Sequence, residues 1–251
     1  MPANVKRLRI VAGPNGSGKS TIIERLRKNF DCGVYLNTDD IEKILRDKGL
    51  LRLSDYLIEA TPEDYEAFLK TPNIQSLVTK AERDGFPIHL RFDSNLLITD
   101  KPTHSYEAAV AAEFLKGRLL SQGELFTFET VMSHPSKLDF VHLARQSGYK
   151  IYLYFVSTES VEINIQRVAQ RVIKKGHPVA EDHIRSRYTK SLELLSEMIP
   201  LSYRTYLFDN SSETDAFLKV AEIYRGEELT IHVDPVPEWI NTYVINTLNF
   251  G

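Results

Sequence analysis

Short apolar runs alternate along the chain with stretches of helical spacing. Lys6 to Ala12 (KRLRIVA) has a buried-strand pattern and ends in a glycine-rich turn, Gly13 to Gly18. From Lys19 the period becomes helical, with Ile22, Ile23 and Leu26 on one face. Val34-Tyr35-Leu36 predicts a second strand, and Asn37-Thr38-Asp39-Asp40 a turn suited to capping a helix over Ile41 to Lys48. Beyond residue 104 the alternation is regular. A helix over Ser105 to Ser121 closes at Gly123, and a strand covers Leu125 to Phe128. A helix around Lys137 to Gln146 then leads into a strand over Tyr149 to Val156. Helices over Val161 to Lys175 and Ala180 to Ile199 precede a strand at Thr205 to Phe208. Strands alternating with helices imply an α/β fold, a parallel sheet covered on both faces.

Two segments depart from this rhythm. Residues 50–104 carry two helix starts of one kind, Thr61-Pro62 and Thr71-Pro72, with proline at the first helical position. Phe86 to Thr99 fits a hairpin turning at Asp93-Ser94-Asn95. This stretch is expected to be a mostly helical insertion. Residues 212–251 are expected to form an extension, with a hairpin at Arg225-Gly226-Glu227 and a helix containing Trp239. Residues 1–251 then make one domain with two additions.

Composition narrows the class. With 251 residues the chain is long enough for a full core. Apolar residues at 42% and charged residues at 26% describe a globular protein. A formal charge of −3 removes the global basic field of a general nucleic-acid binder. The single cysteine, Cys32, can form neither an internal disulfide nor a cysteine-based zinc site. The longest strongly apolar run, Ile151 to Val156, is far shorter than a membrane helix, so no membrane association is expected and the cytoplasm is the default compartment. The histidines show no metal-ligand spacing.

Gly13-Pro14-Asn15-Gly16-Ser17-Gly18-Lys19-Ser20-Thr21 fits G-x-x-x-x-G-K-[ST]. Glycines let successive backbone N–H groups face the phosphates, where side chains would obstruct them. Lys19 is placed to reach the β- and γ-phosphates, and the Ser20 hydroxyl to ligate Mg²⁺. Chance alone yields this pattern in roughly one chain of this length in a hundred. Here it also stands between an apolar strand and an amphipathic helix, as nucleotide binding requires. There is no base-reading N/T-K-x-D, no L-S-G-G-Q and no hydrophobic strand ending in Asp-Glu. Elimination leaves the small-molecule kinase arrangement, with Mg²⁺ at the Ser20 hydroxyl.

Three further groups suit that chemistry. Asp39 falls just past the second strand, where a kinase needs a base or orienting carboxylate for the acceptor hydroxyl; Asp39 or Asp40 would equally cap the next helix. Glu129, directly after the strand LFTF, is placed to hold an acceptor or a magnesium-bound water, and equally to make a structural pair. Arg167, Arg171, Lys174, Lys175, His177, Arg185, Arg187 and Lys190 form a basic run. It would serve as a helix–turn–helix lid closing over the transferring phosphoryl group, or as a solvated helical face.

These residues carry a resemblance. The loop from Gly13 to Thr21, Asn37-Thr38-Asp39, Phe128-Glu129-Thr130, the Arg167 to Val172 helix, Gly176-His177-Pro178-Val179, Ile184 to Tyr188 and Asp209-Asn210-Ser211 resemble the zeta-toxin family of P-loop kinases. The bacterial branch labelled predicted ABC-type ATPases is the nearest in pattern. The resemblance spans roughly residues 6–48 and 105–212. It implies a three-layer, nucleoside-kinase-like fold with strand order 2-3-1-4-5. It also implies ATP- or GTP-dependent phosphorylation of a sugar-nucleotide hydroxyl. On it, Lys19 binds phosphate, Asp39 is the base, Glu113 and Glu129 line the acceptor site, and Arg167 and Arg171 are the lid arginines. Asn210 and Ser211 fall near the nucleotide base. After Glu129, Thr130-Val131-Met132-Ser133 replaces the Gly, Thr and Arg that follow in the toxins. Two other functions fit the same loop. One is a kinase of nucleic-acid 5′-hydroxyls, whose binding would fall steeply with salt. The other is a regulatory nucleotide-binding protein without a small acceptor, held by an antitoxin-like protein partner.

Overall fold

The computed structural model describes residues 5–100, 102–173, 178–212, 217–248 and 250. β1 (Arg7–Ala12) buries Leu8, Ile10, Val11 and Ala12, and the glycine turn leads into α1 (Lys19–Asn29), which turns Ile22, Ile23 and Leu26 inward. β2 (Val34–Leu36) precedes α2 (Thr38–Lys48). This helix starts earlier than its apolar period indicates. Asn37 caps it, its Oδ1 accepting the Asp39 amide at 2.8 Å, so capping falls to the asparagine.

The next segment has the expected helices and hairpin, and one short strand besides. The two proline-led helices form, as α3 (Pro62–Leu69) and α4 (Pro72–Arg83). Thr61 and Asp64 close a capping box at α3, side chain to amide in both directions. The hairpin forms too, as β4 (Leu90–Asp93) and β5 (Leu96–Thr99), but before it comes a further strand, β3 (Leu50–Arg52). β3 pairs antiparallel with β5, giving a three-stranded sheet in the order β3-β5-β4. Three residues are too few to show a period, and the partner strand lies far along the chain.

α5 (Ser105–Gln122), β6 (Phe126–Thr130), α6 (Ser136–Gln146) and β7 (Lys150–Ser157) follow the expected alternation. So do α7 (Val161–Ile173), α8 (Glu181–Met198) and β8 (Arg204–Asp209). β6 runs past Phe128, so Glu129 lies within the strand and not after it. β9 (Leu218–Tyr224) and β10 (Glu228–Ile231) form the late hairpin, and helical turns over Glu238–Leu248 finish the described chain. The main sheet has the order β2-β6-β1-β7-β8-β9-β10. β2–β6, β1–β7 and β7–β8 run parallel, while β8–β9 and β9–β10 run antiparallel. The first five strands of the alternating pattern thus take the order 2-3-1-4-5.

The chain divides into two compact units, Met1–Cys32 with Glu129–Gly251, and Gly33–Phe128. The core of the first joins Ile10, Leu153, Phe155, Leu207 and Ile223 of the strands to Leu195 of α8 and Trp239. That of the second gathers Ile41, Leu45, Leu97, Phe114 and Leu115, all nearly inaccessible. Tyr65 packs edge-on to Phe114 at 5.2 Å and donates its hydroxyl to the Leu90 carbonyl at 2.9 Å. Burial therefore holds that phenol well above its ordinary pKa.

Candidate active site

Three glycines shape the loop between β1 and α1. Gly13, Gly16 and Gly18 have φ of 145°, 80° and 98°, a region that disfavours a Cβ. A Cβ on Gly13 would stand 2.0 Å from the Val156 carbonyl oxygen, and one on Gly16 2.6 Å from that of Asn164. The loop is therefore pressed against the end of β7 and against α7. Lys19 folds back over it, its Nζ donating to the Gly13 and Pro14 carbonyls at 2.9 Å each. Ser17 Oγ and Asn15 Oδ1 are buried without a hydrogen-bond partner among the described residues. α1 has no side-chain cap and no acidic residue in its first turn, so side chains leave its positive end uncompensated.

Side chains from α7 and the end of β8 fix the loop. Asn164 of α7 is fully buried; its Nδ2 donates to the Asn15 carbonyl at 2.7 Å, and its Oδ1 accepts the Thr158 hydroxyl. Asn210 donates its Nδ2 to the Ser17 carbonyl at 2.8 Å and its amide to Ser157 at 2.9 Å. Arg167 in turn donates Nη1 to the Asn210 carbonyl at 2.6 Å. Ser211 Oγ accepts the Glu159 amide at 2.8 Å. Asp209 accepts the Ser211 amide and the Trp239 indole N–H, each at 2.8 Å. Tyr188 of α8 donates to the Thr158 carbonyl at 2.6 Å, and burial pushes its hydroxyl up to about 12.

The structure thus brings Lys19, Asn15, Ser17, Arg167 and Asn210 together around one loop. Ser211 ties the β8 end to the start of α7, and Arg171 lies exposed one turn beyond Arg167. Ser20 is exposed and Thr21 half-buried in the first turn of α1. Arg185 of α8 is bound by Glu162 and Glu181 at 2.8 Å each, and its hydrogen bond holds the Glu162 carboxyl below the usual range. Arg187 is half-buried, as is Glu129 in β6. His177, Lys174 and Lys175 lie outside the described residues. Sequence reasoning missed Asn164, whose only signal was a polar residue on the apolar stripe of α7. It also missed the Asp209–Trp239 bond, for which the sequence held no signal.

In the second unit Asp39 is exposed in the first turn of α2, and Glu113 of α5 is half-buried. Lys116 contacts Glu113 at 2.6 Å, is itself buried, and lies 5.0 Å over the Phe128 ring. A cavity of about 400 Å³ beside α2 is lined by Tyr35, Asn37, Asp40, Lys43, Ile44 and Tyr56, among others. Burial, with Asp40 and Asp55 adding to it, pushes the Tyr56 hydroxyl up to about 12. Among the described residues no group of three or more His, Cys, Asp or Glu could hold a metal ion. The donor set at the loop is instead the Ser20 hydroxyl, which suits a Mg²⁺ that takes its remaining oxygens from phosphate and water. No described helix is long and apolar enough to cross a membrane.

No family model matches the chain. An uncharacterized protein of Haemophilus influenzae is 33% identical over 63 residues, which are 25% of this chain and 45% of that protein. Among solved structures, the native AvrRxo1-ORF1:ORF2 complex matches with a TM-score of 0.54 at 16% identity, covering 95% of this chain and 64% of the other. The AvrRxo1-ORF1:ORF2 structure with ATP matches with a TM-score of 0.52 at 18% identity, covering 92% and 61%. The chain therefore spans less than two thirds of the length of these relatives. The likeness to the solved structures establishes the α/β P-loop fold.

Proposed function

We propose that the protein is a P-loop kinase that transfers the γ-phosphate of ATP or GTP, with Mg²⁺, to a hydroxyl of a small acceptor. The carrying observation is the loop itself: three left-handed glycines, an uncapped helix start, and Lys19 held over the Gly13 and Pro14 carbonyls. A bound magnesium nucleotide supplies the transferable phosphoryl group, and transfer needs positioning and positive charge more than covalent help. Gly13 to Thr21 bind the phosphates through main-chain N–H groups, and Ser20 offers its hydroxyl to the metal. Lys19 and Arg167 neutralise charge on the transferring oxygens, Arg167 already anchored at the loop through Asn210. Arg171, Arg185, Arg187 and His177 complete the lid, and Asn210 with Ser211 border the base. Asp39 takes the proton of the acceptor hydroxyl, while Glu113 and Glu129 hold the acceptor. Lys116 supplies the counter-charge to the Glu113 carboxylate.

The resemblance to zeta toxins supports a sugar nucleotide as that acceptor. The two-component complexes among the structural relatives support an antitoxin-like protein partner. In this reading residues 50–104 and 212–251 are additions to one kinase domain spanning 1–251, acting in the cytoplasm. The test is a nucleotide-consumption screen against sugar nucleotides, nucleosides and oligonucleotides, with Asp39→Asn as the blank. Consumption that depends on one acceptor class in the wild type alone supports the reading. Slow hydrolysis indifferent to every acceptor would favour a regulatory nucleotide-binding role.

A further inference from the structure

One face of the main sheet, within the first unit, carries polar side chains where a buried face would carry apolar ones. Cross-strand registers align Arg9 of β1 with Tyr152 of β7, Arg204 of β8 and Tyr224 of β9. The next row on the same face holds Tyr154, Tyr206 and Glu222. Arg9 is only 8% exposed, yet its Nε and Nη1 find no hydrogen-bond partner among the described residues. Arg204 Nε is likewise buried without a partner, although the side chain is 38% exposed and its Nη1 pairs with Glu222 at 3.1 Å. A guanidinium keeps its charge at any physiological pH, so a buried one with orphaned donors is costly unless an oxyanion arrives from outside.

The surroundings are basic. Lys150 lies 4.2 Å over the Tyr203 ring, and Arg225 lies 5.8 Å and 5.2 Å from the rings of Tyr203 and Tyr224. Glu222, the carboxylate of the second row, is already taken by Arg204 at 3.1 Å and Lys219 at 3.4 Å. Glu228, opposite Tyr224, is a further carboxylate of this face; Arg9, Lys150, Arg204 and Arg225 outnumber it and Glu222, a local reversal of sign in a chain of net charge −3.

The ring geometry decides what it suits. Tyr154 and Tyr206 stack on each other at 4.9 Å and 14°, so each covers a face of the other. Tyr203 and Tyr224 already carry cations. Nucleobases need free ring faces to stack upon, whereas carboxylates need only donors. Tyrosine and arginine are also the side chains that dominate protein interfaces.

We infer that this sheet face is a docking surface for an acidic polypeptide segment, whose carboxylates complete Arg9 and Arg204. The Tyr152 ring lies 5.9 Å over the Arg9 guanidinium and meets Tyr203 at 5.6 Å. Its rotation uncovers the buried donors, a motion that costs no backbone change. This surface is independent of the phosphoryl-transfer reading.

The probe is a labelled oligo-glutamate peptide, set against oligothymidylate of equal length, with binding followed by anisotropy and thermal melting. The wild type should bind the peptide in preference and melt higher in its presence. Arg204→Met should weaken peptide binding about tenfold, within the range for one charge-assisted pair, and leave nucleotide binding unchanged. Arg9→Met should raise the melting temperature of the free protein, since it removes a buried charge met only in part, by the Tyr154 hydroxyl, with two donors orphaned, and abolish the peptide-induced rise. Tighter binding of oligothymidylate, absence of peptide binding, or a lowered melting temperature in Arg9→Met would each overturn the inference. If Arg9→Met does not fold, it counts against the inference, and Lys150→Met with Arg204→Met reads the peptide contact.

Discussion

Lys19 bends back onto the Gly13 and Pro14 carbonyls, so its ammonium is held at the loop. Lys19→Ala should therefore lower nucleotide affinity about 100-fold, the scale of charged hydrogen bonds of about 1.5–3 kcal/mol, with little change in melting temperature. Calorimetric titration with ATP and GTP checks both. Asn164 acts one step back. Its side chain joins Asn15 to Thr158 in a fully buried position. Asn164→Ala should cost about 1–3 kcal/mol of stability and weaken nucleotide binding as well, because the loop loses its anchor on α7. A denaturant melt paired with nucleotide titration separates this from the Lys19 effect. The loop motif was fully legible in the sequence because its spacing is its chemistry. Asn164 was not, since a buried asparagine is recognised only by the backbone group it meets.

Helices and strands were legible where local signals agreed. Thr61-Pro62 and Thr71-Pro72 marked two helix starts, and the hairpin at Asp93-Ser94-Asn95 announced itself by its turn residues. β3 escaped because its strand character comes from pairing with β5 and not from its own pattern. The α2 start escaped by three residues because the cap, Asn37, lies ahead of the apolar period. Two turn residues make a sharp contrast. Ser94 and Asn95 both have positive φ, 49° and 62°. The Asn95 side chain also receives the Ala60 amide and donates to the Ile58 carbonyl, each at 3.1 Å. Ser94→Gly should therefore leave stability unchanged or raise it by up to about 1 kcal/mol. Asn95→Gly relieves the same strain but should destabilise by about 1–2 kcal/mol for the lost bonds. Thr61→Ala should cost about 1 kcal/mol through the broken capping box. Chemical denaturation of the three variants ranks them.

Across the molecule, burial leaves a signature in alkaline stability. Tyr56, Tyr154 and Tyr188 are each pushed up to about 12, chiefly by burial. Unfolded tyrosines ionise near 10, so between pH 10 and 12 the folded state holds more protons. The contribution of these phenols is complete below pH 10 and is lost as pH rises towards 12. Melting temperature should fall across that window while tyrosinate absorbance lags behind that of the unfolded chain. The fold class was readable because strand–helix alternation and the glycine loop agree; the strand order was implied only by the resemblance to zeta toxins, since alternation does not say which strands are neighbours. The basic sheet face was not, because cross-strand registers and not sequence neighbours bring Arg9, Tyr152 and Arg204 into line. The account stands most directly on transfer of a γ-labelled phosphate to the acceptor selected by the consumption screen, measured in the wild type and in Asp39→Asn. It predicts labelled acceptor from the wild type, and from Asp39→Asn undiminished nucleotide binding without labelled acceptor. Full labelling by Asp39→Asn would contradict it.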